Sequence, residues 1–294
     1  MDTKRRFPLI LSNFWIKIIA LVTMTFDHIG YLLSNPDVSN VFRHIGRLAL
    51  PLFCFMIAEG AIHTKSFKKY ALRLGIMASL ITTAIIVSQE VSYFREQGFS
   101  MRGEGNIFID LLLGALAIYL LRQKKWYFKV LAILPISYGV ASFIATSLES
   151  CWCHGEMLWF PYFLRTQYGW FAVLLIVLFY VAHYLCRLFI HYHSHISGID
   201  AENYKGTNLE RNTLNIISAT LLAAGALLFY IVGILMPLNY VYWDNTMQVF
   251  AIFAGAFILL YNGERGYNKK WFQYGSYLYY PIHMAILYLI FAFI

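Results

Sequence analysis

The chain has 294 residues, 60% hydrophobic and only 13% charged, with a mean hydropathy of +0.59 and a net charge of +8. Soluble domains carry about 25% charged residues, so this composition excludes a large soluble core. The apolar runs are continuous rather than alternating, which favours helices over a closed barrel and gives an all-α, polytopic transmembrane helical bundle.

A helix needs about 20 mainly apolar residues to cross the hydrocarbon layer. On that rule the chain predicts nine spans, near 14–34, 47–63, 71–90, 107–121, 128–147, 169–187, 213–236, 246–262 and 272–293. The fourth is short enough to require tilt or a local thinning of the bilayer. The first carries Asp27 and His28 and is followed by no small-residue cleavage site, so it is expected to be a span rather than a cleaved signal. With a cytoplasmic N-terminus, five arginines (Arg43, Arg47, Arg95, Arg102 and Arg165) fall outside and the remaining 18 of the 23 Lys+Arg inside. That is a strong positive-inside asymmetry. It explains the basic balance through topology and anionic lipid headgroups, with no call for a nucleic-acid partner. No repeat, Pro-rich linker or low-complexity stretch divides the sequence, so 1–294 is expected to be a single transmembrane domain in the cell (cytoplasmic) membrane.

Two connections are long. The outer one, near 148–168, is rich in aromatics suited to a membrane interface and contains Cys151, Cys153 and His154. Two thiols and one histidine fall short of a four-ligand zinc site, and a disulfide across one residue is strained. The inner one, near 188–212, holds His191, His193 and His195. This alternating run suits a metal in principle, but a solvated polar connection is the preferred reading, and no metal is expected.

Chemistry is expected where polar groups sit at membrane depth, because such groups are costly and face a bundle interior or a wet cavity. Helical rise places Asp27 and His28 about 20 Å along span one, past the midplane. His283 falls near the middle of span nine. Arg43 and Arg47 share one helix face at the outer mouth of span two, and Asp110 opens span four from the same side. Interhelical salt bridges, for instance Asp27 or Asp110 with Arg47, account for the acids and arginines. They do not account for two histidines at similar depth. A second polar set lies at the inner surface: Glu59, Gly60 and His63, then Lys68, Lys69 and Arg73, and the 261–270 connection with Asn262, Gly263, Arg265, Gly266 and Lys269. Ordinary positive-inside residues explain it. Yet the two glycines around Arg265 permit tight turns, and basic side chains beside exposed amides form a workable phosphate site.

The run Lys17–Gly30, with Asp27 and His28 near its end, resembles the start of the TraX family, named for the membrane protein that acetylates conjugative pilin. Arg43-His-Ile-Gly-Arg47 through Pro51 and Phe53, Ala58-Glu59-Gly60, Tyr168-Gly169-Trp170, Leu260–Gly263 and Tyr280-Pro281-Ile282-His283 are similar as well, in order and spacing. A broader likeness extends to membrane acyltransferases that O-acetylate polysaccharides. Their Arg followed eleven positions later by His has Lys17 and His28 as its counterpart here, and their aromatic-to-glycine end of span two is similar to Phe53–Gly60. Lysine replaces arginine at 17 and at 69, and the spacing from Lys69 to Arg73 departs from the usual pattern.

The resemblance implies transfer of an acyl group, acetyl above all, from cytoplasmic acetyl-CoA to an extracytoplasmic acceptor, either a pilin-like peptide N-terminus or an envelope glycan. Lys68, Lys69, Arg73, Asn262, Arg265 and Lys269 would hold the donor's phosphates. His28 would be the general base with Asp27 beside it, His283 is the alternative base, and Arg47 would stabilise an oxyanion. Arg43, Asp110, Tyr168 and Trp170 would bind the acceptor. A transporter or flippase with a buried charged site is the other reading, although neither inverted repeats nor paired broken helices are present.

Overall fold

A computed structural model describes residues 9–91, 105–151, 159–235 and 245–292. Among these the protein is helical throughout, with one isolated backbone bridge between Leu11 and Tyr261 in place of any strand. The helices are α1 (Asn13–Leu32), α2 (Pro36–Gly46), α3 (Ala49–His63), α4 (Phe67–Glu90), α5 (Ile107–Leu121), α6 (Trp126–Leu131), α7 (Ile133–Cys151), α8 (Gly169–Ser197), α9 (Asn208–Leu235), α10 (Asn245–Gln248), α11 (Ala254–Leu259) and α12 (Lys270–Ala292). Each of the nine expected spans overlaps one or more of these helices. Among the described residues six stretches are long and apolar enough to cross a membrane: Asn13–Leu32, Pro36–His63, Phe67–Glu90, Trp126–Glu149, Tyr162–Ser197 and Asn208–Leu235; the ninth expected span, on α12, is not one of them. Ile107–Leu121 and Thr246–Leu259 are shorter apolar helices. The chain is thus a multi-pass membrane protein.

The boundaries follow local chemistry. Helix α2 precedes the second expected span, and hydropathy does not reveal it. Asn35 caps it, its side-chain oxygen accepting from the Asp37 and Val38 amides at 3.0 and 3.3 Å, and Pro36 occupies the first turn. Helix α8 runs ten residues past its expected end at 187, because Leu188, Phe189, Ile190 and Ile196 continue the apolar pattern until Gly198 turns the chain at φ +67°. His191, His193 and His195 therefore stand on a helix rather than in a loop. Cys153 and His154 lie outside the described residues, as do Arg95 and Arg102.

The chain separates into two compact units. One comprises Met1–Met56, Leu178–Val232 and Asn245–Ile294, and the other Ile57–Val177 and Gly233–Asp244. In the first unit, α1 packs along α2 and against α12. The segment before α1 is stitched to the connection after α11: the Ile10 and Leu11 amides donate to the Leu260 carbonyl at 3.0 and 2.9 Å, Asn262 N–H to Leu11 at 2.9 Å and Asn13 N–H to Glu264 at 2.8 Å. Gly266, at φ +62°, lies against Ser12 and Phe14, where a Cβ has no room. In the second unit, α5 packs between α4 and α7. Asn106, fully buried, caps α5 through the Phe108 amide at 3.0 Å. Its side-chain amide donates to the Ala78 carbonyl and Thr82 hydroxyl of α4, at 2.7 and 3.0 Å.

Candidate functional site

The close approach of α1 and α2 sets the site. At Gly46 a Cβ would meet the backbone and side chain of Asp27, so only glycine lets the two helices come this near. Gly30, one turn along α1, gives the same clearance to Ser39, whose hydroxyl donates to the Gly30 carbonyl at 2.7 Å. This contact delivers Arg47, just past α2, to the Asp27 carboxylate in a short ion pair whose side chains are 14% and 17% exposed. The guanidinium also donates to the Arg43 carbonyl at 3.3 Å and to Gln248 Oε1 at 3.4 Å. Of the two acids that sequence offered as partners for Arg47, the structure selects Asp27.

The next residue of α1 meets α12. His28 Nδ1 lies 2.7 Å from His283 Nε2, and His283 Nδ1 lies 2.7 Å from the Tyr279 carbonyl oxygen one turn earlier. His283 is 6% exposed. The Tyr279 ring stacks on it at 4.9 Å between centroids, and Tyr280 meets both imidazoles edge-on. One turn before His28, Thr25 donates to the Leu21 carbonyl at 3.0 Å, so its hydroxyl accepts from Tyr279 OH at 2.7 Å. The α1–α12 seam is therefore a polar zipper of Thr25 with Tyr279 and His28 with His283. The two histidines, rival candidates in the sequence, are one hydrogen-bonded pair.

Three members of this group were not found from sequence. Thr25 and Tyr279 look like ordinary helical residues, although their offsets of three and four from the histidines place them on the same faces. Gln248, 3% exposed, carries an amide nitrogen without a partner among the described residues. Nothing in its local sequence marks it.

The remaining candidates separate. Asp110 belongs to the second unit and is fully buried. Its oxygens accept from the Gln167 amide at 2.7 Å and the Tyr168 amide at 3.3 Å, holding the turn that starts α8 at Gly169, φ +56°. A carboxylate at a helix N-terminus is favourably placed, so this one has a structural occupation. Trp170 packs edge-on against Phe143 in the same unit, and Tyr168 is half-buried beside it. Arg43 stays with the first unit and runs its side chain against Gly30.

The basic candidates divide in the same way. Lys68, Lys69 and Arg73 are exposed on the first turns of α4 in the second unit. Asn262, Arg265 and Lys269 belong to the first. There Gly263, at φ +81°, sits against the Arg211 guanidinium, which itself lies 5.3 Å over the Tyr261 ring. Asn262 folds its side chain back onto the Glu264 amide at 2.8 Å, while Arg265 and Lys269 are exposed. Lys17 lies 5.5 Å over the Phe272 ring at the start of α12. Tight turns beside exposed basic side chains suit a phosphate-bearing molecule. Among the described residues, no group of three or more His, Cys, Asp or Glu side chains could hold a metal ion.

The family model described as TraX protein matches residues 12–199. The chain is 30% identical over 135 residues to the probable fimbrial assembly protein FimC, serogroup H1, of Dichelobacter nodosus, covering 44% of this chain and 54% of that protein. It is 25% identical over 169 residues to an uncharacterised protein of Rickettsia prowazekii (strain Madrid E), covering 58% and 55% respectively. The chain thus spans about half the length of the curated relatives it matches. No solved structure matches it. The matched region begins at the segment that pairs with the 260–264 connection and takes in α1, the α1–α2 contact and the Asp27–Arg47 pair, and on it the chain belongs to the TraX family.

Proposed function

We propose that the protein is a membrane-embedded acetyltransferase, moving an acetyl group from acetyl-CoA to an amine or hydroxyl acceptor at the far face of the cytoplasmic membrane. The observation that carries this reading is the His28–His283 pair at span depth, one residue from the Asp27–Arg47 ion pair. A salt bridge alone serves packing. An imidazole pair beside it supplies proton transfer, which typically contributes about 10²–10⁴-fold. His28 acts as general base on the acceptor, and the Arg47 guanidinium, already oriented by Asp27 and Gln248, stabilises negative charge on the acyl oxygen. Arg265 and Lys269, next to the turns at Gly263 and Gly266, bind the donor's phosphates; the exposed Lys68, Lys69 and Arg73 of the other unit are the alternative basic group.

The acceptor is an extracytoplasmic pilin-like peptide or envelope glycan. The similarity to the probable fimbrial assembly protein of Dichelobacter nodosus supports the peptide. Mass spectrometry of pilins and envelope glycans from cells with the protein, without it, and with His28→Ala tests the reading. An acetyl mark present only with the wild-type chain is expected. Identical spectra in all three would remove the proposal and leave the transporter reading, in which the charged layer passes a substrate.

A further inference from the structure

We infer that His283 is not a second base but the positioning residue that fixes the tautomer of His28, so that the reacting atom is His28 Nε2 and the proton it takes leaves with the donor's sulfur. This rests on the acetyl-transfer reading for the identity of the reaction, while the tautomer assignment stands on geometry alone.

A neutral imidazole has one N–H and one bare nitrogen, and the partners decide which is which. His283 Nδ1 faces the Tyr279 carbonyl oxygen at 2.7 Å. A carbonyl only accepts, so Nδ1 carries the hydrogen. The Nε2 of His283 is then bare and accepts at 2.7 Å from His28 Nδ1, which must carry the other hydrogen. That leaves Nε2 of His28 as a lone pair with no hydrogen-bond partner among the described residues. The chain of dependence is complete: a backbone carbonyl sets His283, and His283 sets His28. Thr25 and Tyr279 support it from one turn away, because the tyrosine hydroxyl is held at 2.7 Å while its ring stacks on His283. The imidazole of His283 therefore cannot rotate without breaking the zipper.

The same geometry closes one proton route. A relay through His283 would need an acceptor on its far side that can be protonated and emptied, and the backbone carbonyl there cannot serve. The pair is an orienting device rather than a wire. During transfer, the acceptor's N or O forms a bond to the acetyl carbon and the carbon–sulfur bond breaks. The acceptor's proton moves to His28 Nε2, and from there to the departing thiolate, giving the acetylated acceptor and free CoA. The positive charge that His28 bears in between is stabilised by its Nδ1–H donation to His283, much as a hydrogen-bonded orienting group serves other histidine bases.

The test is nitrogen NMR of isotope-labelled histidine in the reconstituted full-length protein, with the His28 signals assigned by their disappearance in His28→Asn. The Nδ1–H form, with Nε2 unprotonated, is expected in the wild type. An Nε2–H His28 would overturn the inference. His283→Leu should release the tautomer and lower acetyl transfer by on the order of 10²-fold. In His283→Gln the side-chain amide can donate to the Tyr279 carbonyl and offer its oxygen to His28, so it should keep the Nδ1–H form and recover about tenfold of the loss. Equal losses in both variants, with His28 still in the Nδ1–H form in each, would show that His283 does not act through the tautomer. A wild-type protein that transfers no acetyl group removes the proposed function, and the spectrum still decides the dyad.

Discussion

Replacing Gly46 with alanine tests the geometry that creates the site. A Cβ at 46 would lie 2.6 Å from Asp27 Cα, whereas carbon atoms in contact normally sit about 3.5–4.0 Å apart. The obstructing atom is backbone, so no side chain can swing away, and α2 must retreat from α1 by about 1 Å. Overpacking of this kind destabilises by about 1–3 kcal/mol. The retreat carries Arg47 away from Asp27, and a misplacement of about 1 Å in an active site costs roughly 10²-fold in rate. Gly30→Ala should be milder in its effect on Arg47, since its nearest backbone obstacle is the Ser39 carbonyl oxygen at 2.9 Å. Gly75→Ala on α4 is the control: nothing lies within 4 Å of its added methyl, and better helix propensity stabilises by up to about 1 kcal/mol. Thermal unfolding in detergent and acetyl transfer should both rank Gly46→Ala worst, then Gly30→Ala, with Gly75→Ala at or above wild type. If Gly46→Ala melts and reacts like wild type, the α1–α2 contact does not hold the site.

Three further outcomes are expected. Arg47→Met should destabilise by roughly 2–3 kcal/mol, below the figure for a fully buried pair because both side chains keep some exposure. The double variant with Asp27→Asn should recover most of that loss in a double-mutant cycle, and additive losses would show that the pair is not coupled. Single cysteines at the exposed positions Asp37 and Lys269 should be labelled from opposite sides of the membrane, with Lys269 cytoplasmic, as the charge asymmetry requires; labelling from one side contradicts that topology. Arg265→Ala should weaken acetyl-CoA binding by about 3–10-fold, the scale of a charged hydrogen bond at an exposed site, and Arg73→Ala tests the alternative basic group in the same way. Unchanged titrations in both would return these residues to plain topological duty.

The helices were legible because hydropathy over a span-length window is a strong signal in lipid. Helix α2 escaped it. Its sequence is amphipathic rather than apolar, although Asn35-Pro36-Asp37 is a readable helix start. Helix α8 outlasts the span that hydropathy marks, because Phe189, Ile190 and Ile196 continue it between the histidines. In the site, each ionisable residue was visible individually, since charges at membrane depth stand out. Their pairing was not. Asp27 and Asp110 are equivalent partners for Arg47 in sequence, and the choice between them depends on Gly46 and on the amides of Gln167 and Tyr168 that occupy Asp110. His28 and His283 are 255 positions apart, and no local pattern ties them together. Gln248 is a polar residue in an apolar helix whose partner, Arg47, is set by tertiary packing alone.

The proposed function stands on proton transfer by His28 in a reaction that uses acetyl-CoA. Purified protein reconstituted in lipid, given acetyl-CoA and an amine acceptor, measures it most directly when binding and turnover are followed together. His28→Ala is expected to bind acetyl-CoA within a few-fold of wild type while acetyl transfer falls by about 10²-fold or more, the scale of a lost general base. Full transfer by a folded, monodisperse His28→Ala protein would contradict it.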